Sequence, residues 1–410
     1  MNPASTDLLA AFRRLPAPFW VLAGGTFVNR FATFLIPFIA LYMKRGGYST
    51  SQMAWAVMTY AIGGFCCGFI AGPLADRFGR NRIMAVSLFL EACCVLSFGF
   101  ADSYGAIITL MGMAGFVAQG AHPATQALIA DIVPDKDRVA AQLAIRVAIN
   151  AGWAFGPAVA GFVVVSHSYL WLFAADAVTS ASFAVLAWFF LPRGNSAGRD
   201  GARWAPALKA LRACPPMIAL MMATLCASFI FRQITTTVNL HIMDMGHGYN
   251  EAHCGLIQSI NGVIIILFEI PLTALTAWIT YRAGVAAGFL MMGLGVAVNW
   301  FVGGLWVVSA GMVVFTIGEM LCLPRHAAWV QQLSPATMRG RFSGLVAFAW
   351  LGGNLLGSWT GLVLYETNPG ALWLMCGALG LLAAGVILRV KSQPLEPTQS
   401  ESIASAPHVS

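Results

Sequence analysis

Apolar runs of about twenty residues or more follow one another along almost the whole chain, and charged residues gather in the short stretches between them. A helix needs about 20 apolar residues to cross a hydrocarbon layer of ~30 Å. The runs lie at roughly 17–43, 53–75, 82–101, 104–130, 139–165, 169–191, 214–243, 252–279, 283–302, 305–331, 340–365 and 370–390, so the pattern predicts twelve crossings. Only 10% of the residues are charged, against about 25% in soluble domains. The chain reads as an all-α membrane protein. Twelve crossings in 410 residues leave no room for a separate soluble domain.

An even number of crossings puts both termini on one side. Seventeen of the 23 Lys and Arg residues lie near the termini or in the loops after even-numbered runs, whereas the opposite loops carry only Lys44 and Arg45. The positive-inside rule then places both termini in the cytoplasm, and the expectation is a multi-pass protein of the cell (inner) membrane. The net charge of +7 reads as orientation rather than as a nucleic-acid surface. Met1 to Pro18 has no signal-peptide pattern. Leu8, Leu9, Phe12 and Leu15 recur there at helical spacing beside Arg13 and Arg14, which suggests a short interfacial helix. The nine cysteines show no disulfide framework or metal spacing.

An internal repeat divides the chain. Pro123, Pro134, Arg138, Gly152 and Gly156 recur 201 residues later as Pro324, Pro335, Arg339, Gly353 and Gly357, and Arg30 and Arg232 lie 202 apart. These are mostly turn, kink and close-approach residues, whose placement shapes a fold. The expected organisation is a six-helix half over 1–191, a cytoplasmic linker over 192–212, a second six-helix half over 213–391, and a disordered cytoplasmic tail over 392–410.

The stretch Gly72-Pro73-Leu74-Ala75-Asp76-Arg77-Phe78-Gly79-Arg80-Asn81-Arg82 packs its charges between two apolar runs. It resembles the signature G-x-L-a-D-r-x-G-r-[kr] between the second and third helices of the major facilitator superfamily, with Asn81 in place of the usual basic residue. The resemblance implies two pseudo-symmetric six-helix halves that rock about a midplane cavity, and a conformational latch built from Gly72, Asp76, Arg77, Gly79, Arg80 and Asp131. In it Asp76 faces the start of the eleventh helix near Gly340 and Arg341, and Arg80 pairs with Asp131. The bland alternative is a solvated loop of orientation charges.

In the fifth run, Gly152, Gly156, Pro157 and Gly161 resemble the antiporter motif of the same superfamily, G-x-x-x-G-P-x-x-G-G, with Ala160 replacing one glycine. Such residues let helices approach closely in lipid; ordinary small-residue packing is the competing account. The family's fourth-helix arginine position is occupied by Phe116, and the first run has no acid, so the usual proton-relay residues do not carry over.

No Gly-Lys dipeptide occurs, which excludes a P-loop and leaves an ion gradient as the energy source, with no cofactor. Intramembrane ionisable groups are functional candidates because hydrocarbon makes them costly. For proton coupling these are Glu319, Glu269, Glu91 and Asp176. For substrate binding they are Arg30 and Arg232, joined by Asn29, Gln119, Asn239, Gln258, Asn261, Trp350 and Asn354. The arginines could equally pair with Glu319 or Glu269. His122 is a further protonation candidate or a packing histidine. The resemblance and these charges point to a monomeric proton-coupled exporter of amphipathic, drug-like small molecules. A proton-coupled importer of a polar or anionic molecule is the alternative, and a non-transporting receptor is a third reading. No hydrolytic triad or metal cluster suggests an enzyme.

Overall fold

The computed structural model describes residues 11–134, 137–193, 204–301, 303–335 and 338–390. In order the crossings are Ala17–Arg45, Thr50–Phe78, Arg80–Phe98, Tyr104–Ile132, Arg138–Ser166, Tyr169–Phe190, Pro215–Asp244, Glu251–Leu275, Tyr281–Trp300, Leu305–Leu333, Arg339–Thr367 and Pro369–Arg389, here spans 1 to 12. Among the described residues, eleven helices are long and apolar enough to cross a membrane. Span 2 is the twelfth crossing, a helix of 29 residues. At 1.5 Å per residue it is about 44 Å long, which exceeds a ~30 Å hydrocarbon core. Its ends therefore reach the polar interfaces.

Polar caps fix where several spans begin. Ser49 and Gln52 form a reciprocal capping box at span 2, and Asn250 with His253 does the same at span 8. Ser103, Thr280 and Asn368 cap spans 4, 9 and 12. Each satisfies an amide that the first helical turn leaves without an intrahelical partner.

Packing repeats between the two sets of six. Spans 1 and 5, 2 and 4, 3 and 4, 3 and 6, and 1 and 6 lie together in the first half. Their counterparts 7 and 11, 8 and 10, 9 and 10, 9 and 12, and 7 and 12 lie together in the second. The halves meet along two reciprocal seams, span 5 on span 8 and span 2 on span 11. Glycines explain how close the helices come, inside each half and along the seams. A Cβ at Gly152 would stand 2.7 Å from the Arg30 Cβ in span 1, and one at Gly357 would stand 3.2 Å from the Arg232 Cβ in span 7. Gly156 faces the Phe31 backbone, and Gly161 and Gly255 face backbone across the span 5–span 8 seam.

Spans 1 and 7 are broken. Span 1 consists of Ala17–Phe31 and Leu35–Arg45, and span 7 of Pro215–Thr235 and Thr237–Asp244. In lipid a break needs an internal partner for each freed backbone group. Asp176 of span 6 supplies one: its Oδ2 accepts the Phe34 amide at 3.0 Å, and the Leu35 amide donates to it as well. In span 7 the hydroxyls of Thr235 and Thr236 donate to the Arg232 carbonyl at 3.1 and 2.8 Å.

The exterior is apolar, as lipid contact requires: Trp306 is 87% exposed and Trp278 82%. The basic residues gather at one end of the bundle, called the basic end, where the described chain starts and finishes. There Phe12 and Leu15 pack into the first half rather than onto its surface, and Arg14 grips Asp137 at 2.7 Å. Leu8, Leu9 and the tail lie outside the described residues. Of the linker, Trp204–Arg212 forms a helix whose Ala210 and Leu211 pack on the core.

Candidate substrate cavity and its closures

A cavity of about 140 Å³ lies between the halves near the middle of the bundle. Tyr60, Ala61 and Gly64 of span 2 and Gln119 of span 4 line one side; Arg232 of span 7 with Trp350, Leu351 and Asn354 of span 11 line the other. Gly64 makes room for Gln119, whose Cγ would lie 2.9 Å from a Cβ there. Trp350 is braced by Phe231 at a ring separation of 5.5 Å, and the Asn354 amide donates to the Trp350 carbonyl at 3.0 Å. Of the substrate-site expectations, Arg232, Gln119, Trp350 and Asn354 thus meet in one cavity. Tyr60 and Gly64 of span 2 complete the wall without having been among the expected residues.

The other expected residues serve elsewhere. Asn29 donates to Ser180 at 3.0 Å, next to the Asp176 cap. Asn239 donates to the Pro37 carbonyl of the other half at 2.8 Å, and Gln258 donates to Asn239 at 3.0 Å. Asn261 donates to Glu319 at 2.8 Å and to Thr316 at 3.0 Å. Arg30 is within electrostatic reach of Glu91 and of the cavity residue Tyr60.

The end opposite the basic one is sealed by charges across the halves. Arg45, at the end of span 1, holds the buried Glu251 of span 8 through Nη2–Oε2 and Nε–Oε1 contacts of 2.6 Å each. Tyr169 donates to Glu251 at 3.0 Å, and the Arg45 guanidinium lies 5.6 Å from the Tyr169 ring centre. Glu251 opens its helix, where the dipole favours an anion. Lys44 pairs with Asp244 at the end of span 7, and Tyr365 donates to the same carboxylate at 3.1 Å. Lower in the seam, the Ala158 amide beside Pro157 donates to Ser259 at 3.2 Å. Nearer the basic end, Arg146 of span 5 pairs with Glu269 of span 8.

At the basic end itself, Arg80 pairs with Asp131 at 2.6 Å and donates to the Ala127 carbonyl at 2.9 Å. Gly79 turns with φ of +98°, a conformation that glycine adopts freely. Asn81, where the signature has a cation, donates to the Leu191 carbonyl at 3.0 Å. Arg77 is exposed and lies over Phe78. Gly72 and Asp76 fall in the last turns of span 2. The side chains of Asp76, His122 and Arg339 and the surroundings of Gly340 are outside what the structure describes.

Comparison with known proteins agrees with this architecture. The model of the Major Facilitator Superfamily matches residues 22–277. The chain is 26% identical over 352 residues to the uncharacterized MFS-type transporter YqjV of Bacillus subtilis, covering 83% of this chain and 85% of the relative. It is 22% identical to a Na(+), Li(+), K(+)/H(+) antiporter of Planococcus maritimus, covering 82% and 86%. A shorter match, 31% identical over 140 residues, joins it to Multidrug resistance protein 2 of Bacillus subtilis, covering 33% and 35%. A solved structure of a mutant of the peptide transporter POT superposes with a TM-score of 0.77 at 17% identity, covering 91% of this chain and 94% of that one. The chain belongs to the Major Facilitator Superfamily. It is a secondary transporter of small molecules, not an enzyme, and needs no cofactor.

Proposed function

We propose that this transporter exports amphipathic small molecules in exchange for protons by alternating access. The observation that carries the reading is a mid-bundle cavity between two halves whose polar cross-links concentrate at one end among the described residues. Breaking those links and forming others at the basic end would expose the cavity to the second face. In this reading the termini and the basic end are cytoplasmic, by the positive-inside rule. The halves 1–191 and 213–391 move against each other, and the Asp76 segment with Arg80 and Asp131 holds the cytoplasmic side closed when the outer side opens.

Export is favoured by the tight span 5, whose Gly152, Gly156 and Gly161 meet spans 1 and 8 and whose Ala158 amide, next to Pro157, donates to Ser259 across the seam. The names of the proton-exchanging and multidrug-resistance relatives point the same way. Glu319 is the coupling acid of choice. It sits mid-span beside the span 8–span 10 contact with a neutral partner, Asn261, whereas Glu269 is held by Arg146 and Asp176 caps a backbone break. Import with protons is the second reading, supported by the arginine in the cavity wall. Proteoliposomes with an imposed pH gradient separate the two. Opposite flows of proton and substrate are expected, and parallel flows would replace export with import.

A further inference from the structure

The intramembrane arginines differ in what they hold. Arg146 has Glu269. Arg325 is tied to the Thr276 carbonyl and hydroxyl and to the Leu321 carbonyl, at 2.5, 2.7 and 3.0 Å. Arg30 stands in the field of Glu91. Arg232 is 91% buried, being 9% exposed. Its Nε has no hydrogen-bond partner, and no carboxylate among the described residues pairs with it. Yet its side chain forms part of the cavity wall. A buried cation without a counter-charge is strongly disfavoured in this setting.

We infer that the cavity binds a monoanionic organic acid, with its carboxylate or sulfonate on Arg232 and its flat or apolar part between Tyr60 and Trp350. The inference rests on the transporter reading above and names its substrate class. A guanidinium presents a fork of donors that matches a planar carboxylate, and the side-chain amides of Gln119 and Asn354 offer further polar contacts. One arginine compensates one negative charge. Arg232 is the one cation among the described residues that line the cavity, so a dianion would leave a second charge buried and unpaired there. Size narrows the choice further. The volume of about 140 Å³ is close to the ~150 Å³ of an apolar cavity that accepts benzene, so the group held here is an aromatic ring or a short aliphatic chain with its acid. A larger amphiphile would place only its acidic head at this point.

Titration calorimetry on the purified full chain tests this with three probes of one size: benzoate, neutral benzamide and cationic benzylammonium. Benzoate is expected to bind at least about tenfold tighter than benzamide, and benzylammonium more weakly still. Arg232→Gln should bring benzoate down to the benzamide level, Arg232→Lys should keep part of the preference, and Trp350→Ala should weaken both ligands alike. Equal binding of benzoate and benzamide, tightest binding of benzylammonium, absence of benzoate binding, or a preference that survives Arg232→Gln would each overturn the assignment. If Arg232→Gln does not fold, the Arg232→Lys and Trp350→Ala responses decide. Flux of benzenesulfonate, a permanently charged anion, separates this claim from the export reading. Selective binding without any proton movement would sink proton coupling and leave the anion site standing. Proton-linked movement of benzylammonium alone would do the reverse.

Discussion

Arg45 and Glu251 clasp each other through two contacts of 2.6 Å, although they belong to different halves and lie 206 residues apart. Lys44 and Asp244, 200 residues apart, repeat the arrangement one step along. Both separations are close to the offset of the internal repeat, so the last turns of spans 1 and 7 and the first turn of span 8 come together because the halves are alike. Glu251 is fully buried while Arg45 is half exposed. The pair is therefore a conditional closure: removing the cation leaves a buried anion with only Tyr169 and the helix terminus.

Arg45→Gln should accordingly favour opening of this end. Breaking a buried pair costs about 3 kcal/mol at the lower end of the usual range, and the exposure of Arg45 reduces that. Spin-label distances across this end should lengthen in Arg45→Gln and return in the charge-swapped double variant Arg45→Glu with Glu251→Arg. An unchanged distance distribution would mean that the seal does not depend on this contact.

Gly152→Val should destabilise the first half by about 1–3 kcal/mol, the usual cost of overpacking, because any side chain there meets the span 1 backbone at Arg30 and Phe31. Gly24→Ala is the control, since nothing lies within 4 Å of a Cβ at that position. Thermal unfolding in detergent should show a clear fall for the first and none for the second. Equal melting temperatures would remove close approach as the reason for Gly152.

Asp176→Asn should fold and transport nearly as well as the parent, because an amide oxygen still accepts the Phe34 amide. Asp176→Leu should lose about 1–3 kcal/mol, the penalty for leaving buried donors unsatisfied. Loss of transport in Asp176→Asn with normal stability would instead return Asp176 to the proton path.

Glu319→Gln should abolish transport driven by a pH gradient, by about tenfold or more, while substrate exchange in the absence of a gradient continues. The glutamine keeps a hydrogen bond to Asn261 and removes only the titratable proton. Gradient-driven transport at the parental rate in Glu319→Gln would move the coupling role to Glu91 or elsewhere.

The crossings were legible because hydrocarbon imposes one simple rule on composition, and the observed helices begin and end within a few residues of the apolar runs. The breaks were less visible. Pro37 lies just past the break in span 1, but span 7 breaks without a proline, at Thr235-Thr236-Thr237, where hydroxyls return to carbonyls one turn back. That threonine run was the available signal. Three cavity residues, Arg232, Gln119 and Asn354, are legible as polar groups within apolar runs and Trp350 as an aromatic, whereas Asn29, Asn239, Gln258 and Asn261 look alike in sequence and are turned toward backbone or side-chain partners by packing. Asp244 and Glu251 give no comparable signal, because acids at the ends of apolar runs carry no sign of what faces them across a repeat.

The fracture in span 1 has a consequence for how the protein is made. The Phe34 amide finds its acceptor on Asp176, which emerges from the ribosome some 140 residues later. Until span 6 arrives, the second piece of span 1 starts with donors that lipid cannot satisfy. The first half is therefore expected to mature as a block, its opening segment shielded by the insertion machinery until its sixth has been delivered.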